Sequence, residues 1–229
     1  MRSKEAYRIT LKGIGLHRKL LGRMLHIGIP AGLQSSMYAI SNMIIQVAVN
    51  LLGTATVAAW SLSGKIDGFY WACSNAAGIA VMNFAAQNYG AGRMDRVHNC
   101  EKLSLKLFMG VTLLFSAVLL GFGRFLLPLF NDDAEVLAKT WQVMLYMVPL
   151  YFTWTYIEII SGVLRGIGDA VVPVIIIGVG VCLLRVVWIA PVYRSHPNML
   201  NVCLAYPISW IVTDVAFFFY YRRVKWLYH

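Results

Sequence analysis

Hydrophobic residues fall into six long blocks, at about 27–52, 57–89, 105–130, 141–164, 171–193 and 202–221, separated by short polar or glycine-containing stretches. A helix rises about 1.5 Å per residue, so about 20 apolar residues cross a hydrocarbon layer about 30 Å thick. Every block reaches that length. The pattern predicts six membrane-spanning helices in an all-α polytopic membrane protein, with 27–221 as one transmembrane unit. The second block is over-long and polar in places, which predicts a bend or an overrun at its C-terminal end. Residues 93–103 carry charge and predict a surface helix, while 1–26 read as a basic arm and 222–229 as a basic tail.

Composition narrows the class. Hydrophobic residues make up 59% of the 229 residues and charged residues 13%, against roughly 45–50% and about 25% in soluble domains. So little polar surface cannot cover a soluble globule, and the lipid bilayer is the predicted partner. The net charge is +10, but the lysines and arginines sit at block ends rather than on one basic face, which speaks against nucleic acid. Their distribution predicts topology, because cytoplasmic loops retain Lys and Arg. The arm holds seven, the second-to-third connection four, the fourth-to-fifth connection one (Arg165) and the tail three. These fifteen face three on the other side, Arg124, Lys139 and Arg194. Both termini are expected in the cytoplasm, with the chain crossing the plasma (inner) membrane. None of the four cysteines has a CxxC spacing, the three inside apolar blocks predict buried thiols, and a secreted disulfide scaffold is excluded.

Polar residues inside the blocks are the candidate chemistry. Gln34, Tyr38, Asn42, Gln46 and Asn50 recur every four residues in the first block. Each step turns a helix by about 400°, so the stripe drifts only about 40° per step and forms one continuous polar face. That face serves either interhelical hydrogen bonds or the wall of a water-filled cavity; Gln34, Tyr38 and Asn42 are the candidate cavity residues. In the second block Lys65 and Asp67 point about 200° apart and cannot pair with each other. Lys65 can snorkel to the outer surface, whereas Asp67 needs a partner or water at depth. In the fourth block Tyr151, Trp154, Thr155, Glu158, Gly162 and Arg165 share a face below Pro149, which should kink the helix. Glu158 there either takes up a proton or cation or tethers two helices, with Arg185 as one partner. Asp214, between Trp210 and Phe218, is a similar acid, and Arg185 suits it equally well. Tyr151 and Trp154, with the other aromatics, either hold organic cations through their ring faces or simply pack. Small residues at Gly28/Gly32, Gly64/Gly68 and Gly162/Gly166 would let helices approach closely, and Pro30 and Pro173 are placed in first turns. No nucleophile motif, phosphate loop or metal-ligand spacing is present, so neither an enzyme nor a metal site is predicted, and no cofactor.

Four motifs carry a resemblance. Gly162-Val163-Leu164-Arg165-Gly166-Ile167-Gly168-Asp169 closes the fourth block and Gln87-Asn88-Tyr89-Gly90-Ala91-Gly92 the second. With Gly28-Ile29-Pro30-Ala31-Gly32-Leu33-Gln34 and Ala58-Ala59-Trp60, in that order along the chain, they make it resemble the multidrug and toxic compound extrusion (MATE) family. The resemblance implies one six-helix lobe of a twelve-helix transporter, the C-terminal lobe, with the basic arm as an inter-lobe linker. It implies proton- or sodium-coupled efflux of organic cations by alternating access. Glu158 is then the coupling acid, Asp67 and Asp214 are further acids, and Gln87, Arg165, Gly168 and Asp169 shape the gate. The partner is an N-terminal lobe absent from this chain or a second half-transporter. A lipid-linked saccharide flippase of the same superfamily, a scaffold or intramembrane enzyme, and an inactive fragment are the alternatives.

Overall fold

The computed structural model describes Gly15 and residues 17–225; most of the arm and the end of the tail lie outside the described residues. Among the described residues, eight α-helices form six rods. They are α1 (Arg18–Asn50), α2 (Thr54–Gly90), α3 (Met94–Leu126), α4 (Ala134–Met147) with α5 (Tyr151–Gly166), α6 (Val171–Ile177) with α7 (Leu184–Ser195), and α8 (Met199–Lys225). No strand occurs among the described residues. Four rods are long and apolar enough to cross a membrane: Met94–Leu129, Ala134–Gly166, Val171–Pro191 and Met199–Val224. The other two, α1 and α2, have the length but carry the amides, serines and charges noted above.

Several boundaries differ from the sequence-based expectation. Helix α1 begins at Arg18, inside the stretch read as an arm, because Arg18–His26 contains good helix formers and only Gly22 as a weak point. Pro30 consequently lies within α1 rather than in its first turn. The charged 93–103 segment is not a separate surface helix; it is the start of α3, which runs unbroken from Met94. Helix α2 runs unbroken for 37 residues. Pro149 interrupts its rod as predicted, since α4 stops at Met147 and a 3-10 turn, Val148–Leu150, leads into α5. Two hydrogen bonds from neighbours hold that break: Ser116 Oγ donates to the Val148 carbonyl at 3.0 Å and the Tyr70 hydroxyl to the Tyr151 carbonyl at 3.0 Å. The α6–α7 rod contains a wide π turn at Gly178–Leu183.

The main core lies between α2, α3, α4, α5 and α8 and is largely aromatic. Tyr70 stacks on Tyr151 at 4.6 Å between ring centroids, and Trp71, Trp154 and Trp210 meet edge to face at 5.4–6.0 Å. A smaller core of Ile45, Ala48, Val49, Ile189, Val202 and Ala205 ties only the second half of α1 to α7 and α8. Of the three glycine pairs, Gly162/Gly166 alone makes the close approach within this chain: a methyl at Gly162 would meet the Gly78 carbonyl and one at Gly166 the Met82 carbonyl of α2. Gly28, Gly32, Gly64 and Gly68 face open space.

Charged side chains pin the rods at their ends. At one end, Tyr221 donates to Glu101 at 2.7 Å and Tyr220 to Asp169, joining the end of α8 to the start of α3 and to the α5–α6 turn. At the other, Lys139 of α4 reaches Thr56 at the start of α2 at 3.2 Å. The α4 helix is capped there by Asp133, whose carboxylate accepts from the Glu135 and Val136 amides. The connections assigned to the arginine-rich side therefore lie together at one end of the bundle.

Candidate substrate cavity and coupling site

Between α1, α2, α5, the α6–α7 rod and α8 lies a cavity of about 690 Å³, within the range of small-molecule sites. Its first wall is the polar stripe of α1: Gln34, Tyr38, Asn42 and Gln46 all line it. Ile45, Ala48 and Val49 pack the adjoining face of α1 against α7 and α8, which leaves the polar stripe to the cavity. Asn50 ends the stripe outside the cavity, accepting from Gln46 Nε2 at 2.9 Å.

Asp67 and Glu158 enter from α2 and α5. Asp67 is 6% exposed, accepts from Ser63 Oγ at 3.5 Å through Oδ2, and leaves Oδ1 buried with no hydrogen-bond partner. Lys65 points the opposite way and is exposed, as the two-residue spacing requires. Glu158 reaches the cavity at the point where α2 has no side chain, since a methyl at Gly78 would overlap its carboxylate. Its ionic neighbour is Arg165, two turns along the same helix, at 3.9 Å, and Arg165 also donates to the Ser161 carbonyl and hydroxyl at 3.2 and 3.3 Å. The proposed tether to Arg185 is not formed. A carboxylate inside a membrane costs several kcal/mol unless solvated or paired; Glu158 faces the cavity beside Arg165, whereas Asp67 keeps one oxygen unpartnered at the cavity wall. Trp154 lies between them, donating Nε1 to Ser74 Oγ at 3.1 Å and meeting the Tyr38 ring edge to face at 6.4 Å.

The remaining candidates are placed elsewhere. Tyr151 is fully buried behind the cavity, within the aromatic core, and does not line it. Asp214 is on the other face of α8, in a shallow depression with Tyr156, Phe218 and Phe219. Arg165 reaches the cavity rim, whereas Gln87, Gly168 and Asp169 shape the ends of helices. Gln87 is exposed in the last turn of α2 and its carbonyl accepts from the Ala91 amide at 3.1 Å. Gly168 takes φ +98°, a left-handed conformation open to glycine, and Asp169 accepts from the Val172 amide at the start of α6. Sequence reasoning missed Ser63, Asn75 and Tyr206 as cavity residues, and left Arg185 between two acids when it meets neither. Small polar residues in an apolar block were the available signal for the first two.

A bundle of apolar rods around a polar cavity lined by two acids defines a polytopic membrane protein. The chain matches the MatE family model over residues 30–190 and belongs to that family. It is 23% identical over 210 residues to the probable multidrug resistance protein YoeA of Bacillus subtilis (strain 168), covering 91% of this chain and 45% of that protein. It is 25% identical over 203 residues to the probable multidrug resistance protein YpnP of the same organism, covering 89% and 45%. A crystal structure of a MATE protein in its straight conformation superposes with a TM-score of 0.85 at 15% identity, over 96% of this chain and 50% of that one. The chain spans about half the length of the curated relatives it matches. The fold is thus one six-helix lobe of the twelve-helix architecture.

Proposed function

We propose that this chain is the C-terminal lobe of a cation-coupled antiporter that expels organic cations by alternating access, in the plasma (inner) membrane with both termini cytoplasmic. The observation that carries the reading is the cavity, in which Asp67 and Glu158 face the amide stripe of α1 across a space of about 690 Å³. Glu158 is the coupling residue: it is partly exposed to the cavity and held by one ionic contact at 3.9 Å, so a proton or sodium ion can exchange with Arg165 as its counter-charge. Aromatic rings of Tyr38, Trp60, Trp71 and Trp154 offer faces to a delocalised cation. The names of the two Bacillus relatives support drug efflux, and the lysine and arginine asymmetry supports the orientation. Two acids and two arginines in the lining balance its charge, which supports drug efflux over the flippase reading.

The test is Glu158→Gln. Everted vesicles carrying the chain together with an N-terminal lobe should accumulate ethidium in their lumen under an imposed proton or sodium gradient, and the active gradient names the ion. The variant should insert normally and lose gradient-driven efflux. Efflux at the wild-type rate would remove Glu158 from the coupling role.

A further inference from the structure

Arg185 has an environment that the export of cations does not require. It is 3% exposed yet lines the cavity. No carboxylate lies within ion-pair distance of it among the described residues, where the ion pairs are Lys139–Glu135 and Arg165–Glu158. Among the described residues its one hydrogen bond runs from Nε to Ser209 Oγ at 3.1 Å, and its guanidinium carbon lies 4.0 Å from the Tyr206 ring centroid and 5.9 Å from that of Trp210. The side chain lines the cavity, and its terminal nitrogens make no hydrogen bond among the described residues. A buried guanidinium without a counter-ion is costly, and a planar fork of unused donors matches a carboxylate or phosphate in two parallel bonds.

The rod that carries Arg185 is built to aim it. Ile177 and Arg185 both line the cavity, yet eight residues turn a regular helix through about 800°, leaving them about 80° apart. The wide π turn at Gly178–Leu183 absorbs one residue, so they behave as if about 700° apart and return to one face. Gly180 lets that turn close on Thr213 of α8, where a methyl would collide, and Ser41 of α1 donates to the Cys182 carbonyl at 3.5 Å. Tyr206 is fixed in turn by Trp60 and Trp210 at 5.8 and 5.9 Å.

We propose that Arg185 anchors an anionic group, a carboxylate or phosphate, on a flat aromatic substrate whose ring lies among the aromatic side chains of this cavity. This rests on the reading of the cavity as the substrate site and names a second polarity for its substrates: a zwitterion, positive toward Glu158 and Asp67 and negative toward Arg185.

Rhodamine 110 and rhodamine 123 test it, because they share one cationic ring system and differ in a free carboxylate against its methyl ester. Binding to the purified full chain in lipid nanodiscs is read by fluorescence anisotropy. The acid should bind at least tenfold more tightly than the ester, and Arg185→Gln should abolish that preference. Arg185→Lys keeps the charge without the fork and should give an intermediate ratio. If the ester binds and the acid gains nothing, the anionic subsite falls and the cavity reading stands. If neither dye binds, both fall. Should Arg185→Gln fail to fold, the wild-type pair and the lysine variant still decide. Phenyl phosphate should displace rhodamine 110 at lower concentration than inorganic phosphate; displacement by dodecyl phosphate ahead of phenyl phosphate would overturn the aromatic class in favour of a lipid head group.

Discussion

Glu158 meets α2 at Gly78, and that contact sets where its carboxylate can be. A methyl at position 78 would occupy the space of Oε1, while the backbone of α2 there is already against Gly162. Gly78→Ala should therefore displace the carboxylate without removing it, slowing gradient-driven ethidium efflux by about tenfold, equivalent to about 1.4 kcal/mol. Initial rates in vesicles check this, and the melting temperature in detergent should barely change because a flexible side-chain end gives way. Wild-type efflux from Gly78→Ala would mean that the position of the carboxylate is unimportant. The acids themselves were legible in the sequence, because a charge inside an apolar block has few reasons to be there. The environment of Arg185 was not legible: pairing by charge suggested an acid, whereas the structure supplies the ring of Tyr206, which no spacing rule singles out.

At the scale of elements, the same small-xxx-small spacing has different consequences on different helices. Gly162 and Gly166 face backbone carbonyls of α2, which cannot retreat as a side chain can. Gly162→Ala and Gly166→Ala should each cost about 1–3 kcal/mol, as overpacking does, and lower the melting temperature measured by circular dichroism of the isolated chain. Gly28→Ala and Gly68→Ala, open to space within this chain, should be neutral or slightly stabilising, since alanine favours a helix by up to about 1 kcal/mol over glycine. Equal effects at all four positions would refute the assignment. Six rods, their order and the Pro149 break were legible from hydrophobic length and one proline. The start of α1 was not, because Arg18–His26 is helical without being apolar, and an apolar-block reading follows lipid rather than backbone hydrogen bonds. Tyr151 was put in the cavity by its helical face; three residues before Trp154 it is offset by about 60°, enough to turn it onto Tyr70 instead. Asp214 lies in a separate depression on the other face of α8, since periodicity says which residues share a face but not what that face meets.

Taken as a whole molecule, the lobe is unevenly finished. Helices α2, α3, α5 and α8 share one aromatic core, whereas α1 is fixed only by its second half, and its Ile29, Leu33, Ile40, Met43 and Val47 remain exposed. The same helix supplies the amide wall of the cavity, so its outward residues and its polar stripe lie on the least supported rod of the bundle. Lipid can cover the apolar residues but cannot satisfy the amides. A second lobe can do both, by closing the cavity over the stripe while packing against the flanking side chains. The chain expressed alone should then insert into membranes and yield no ethidium efflux, whereas co-expression with an N-terminal lobe on a separate polypeptide should restore it. The two halves should also copurify, and an Ile40→Cys chain should form a disulfide with cysteines introduced along the partner lobe but none with cysteines introduced into α3 of its own chain. Efflux from the chain alone, with the native mass of a dimer, would instead make a second copy the closing lobe. Efflux from a monomer would place the transport path within these six rods and overturn the two-lobe reading.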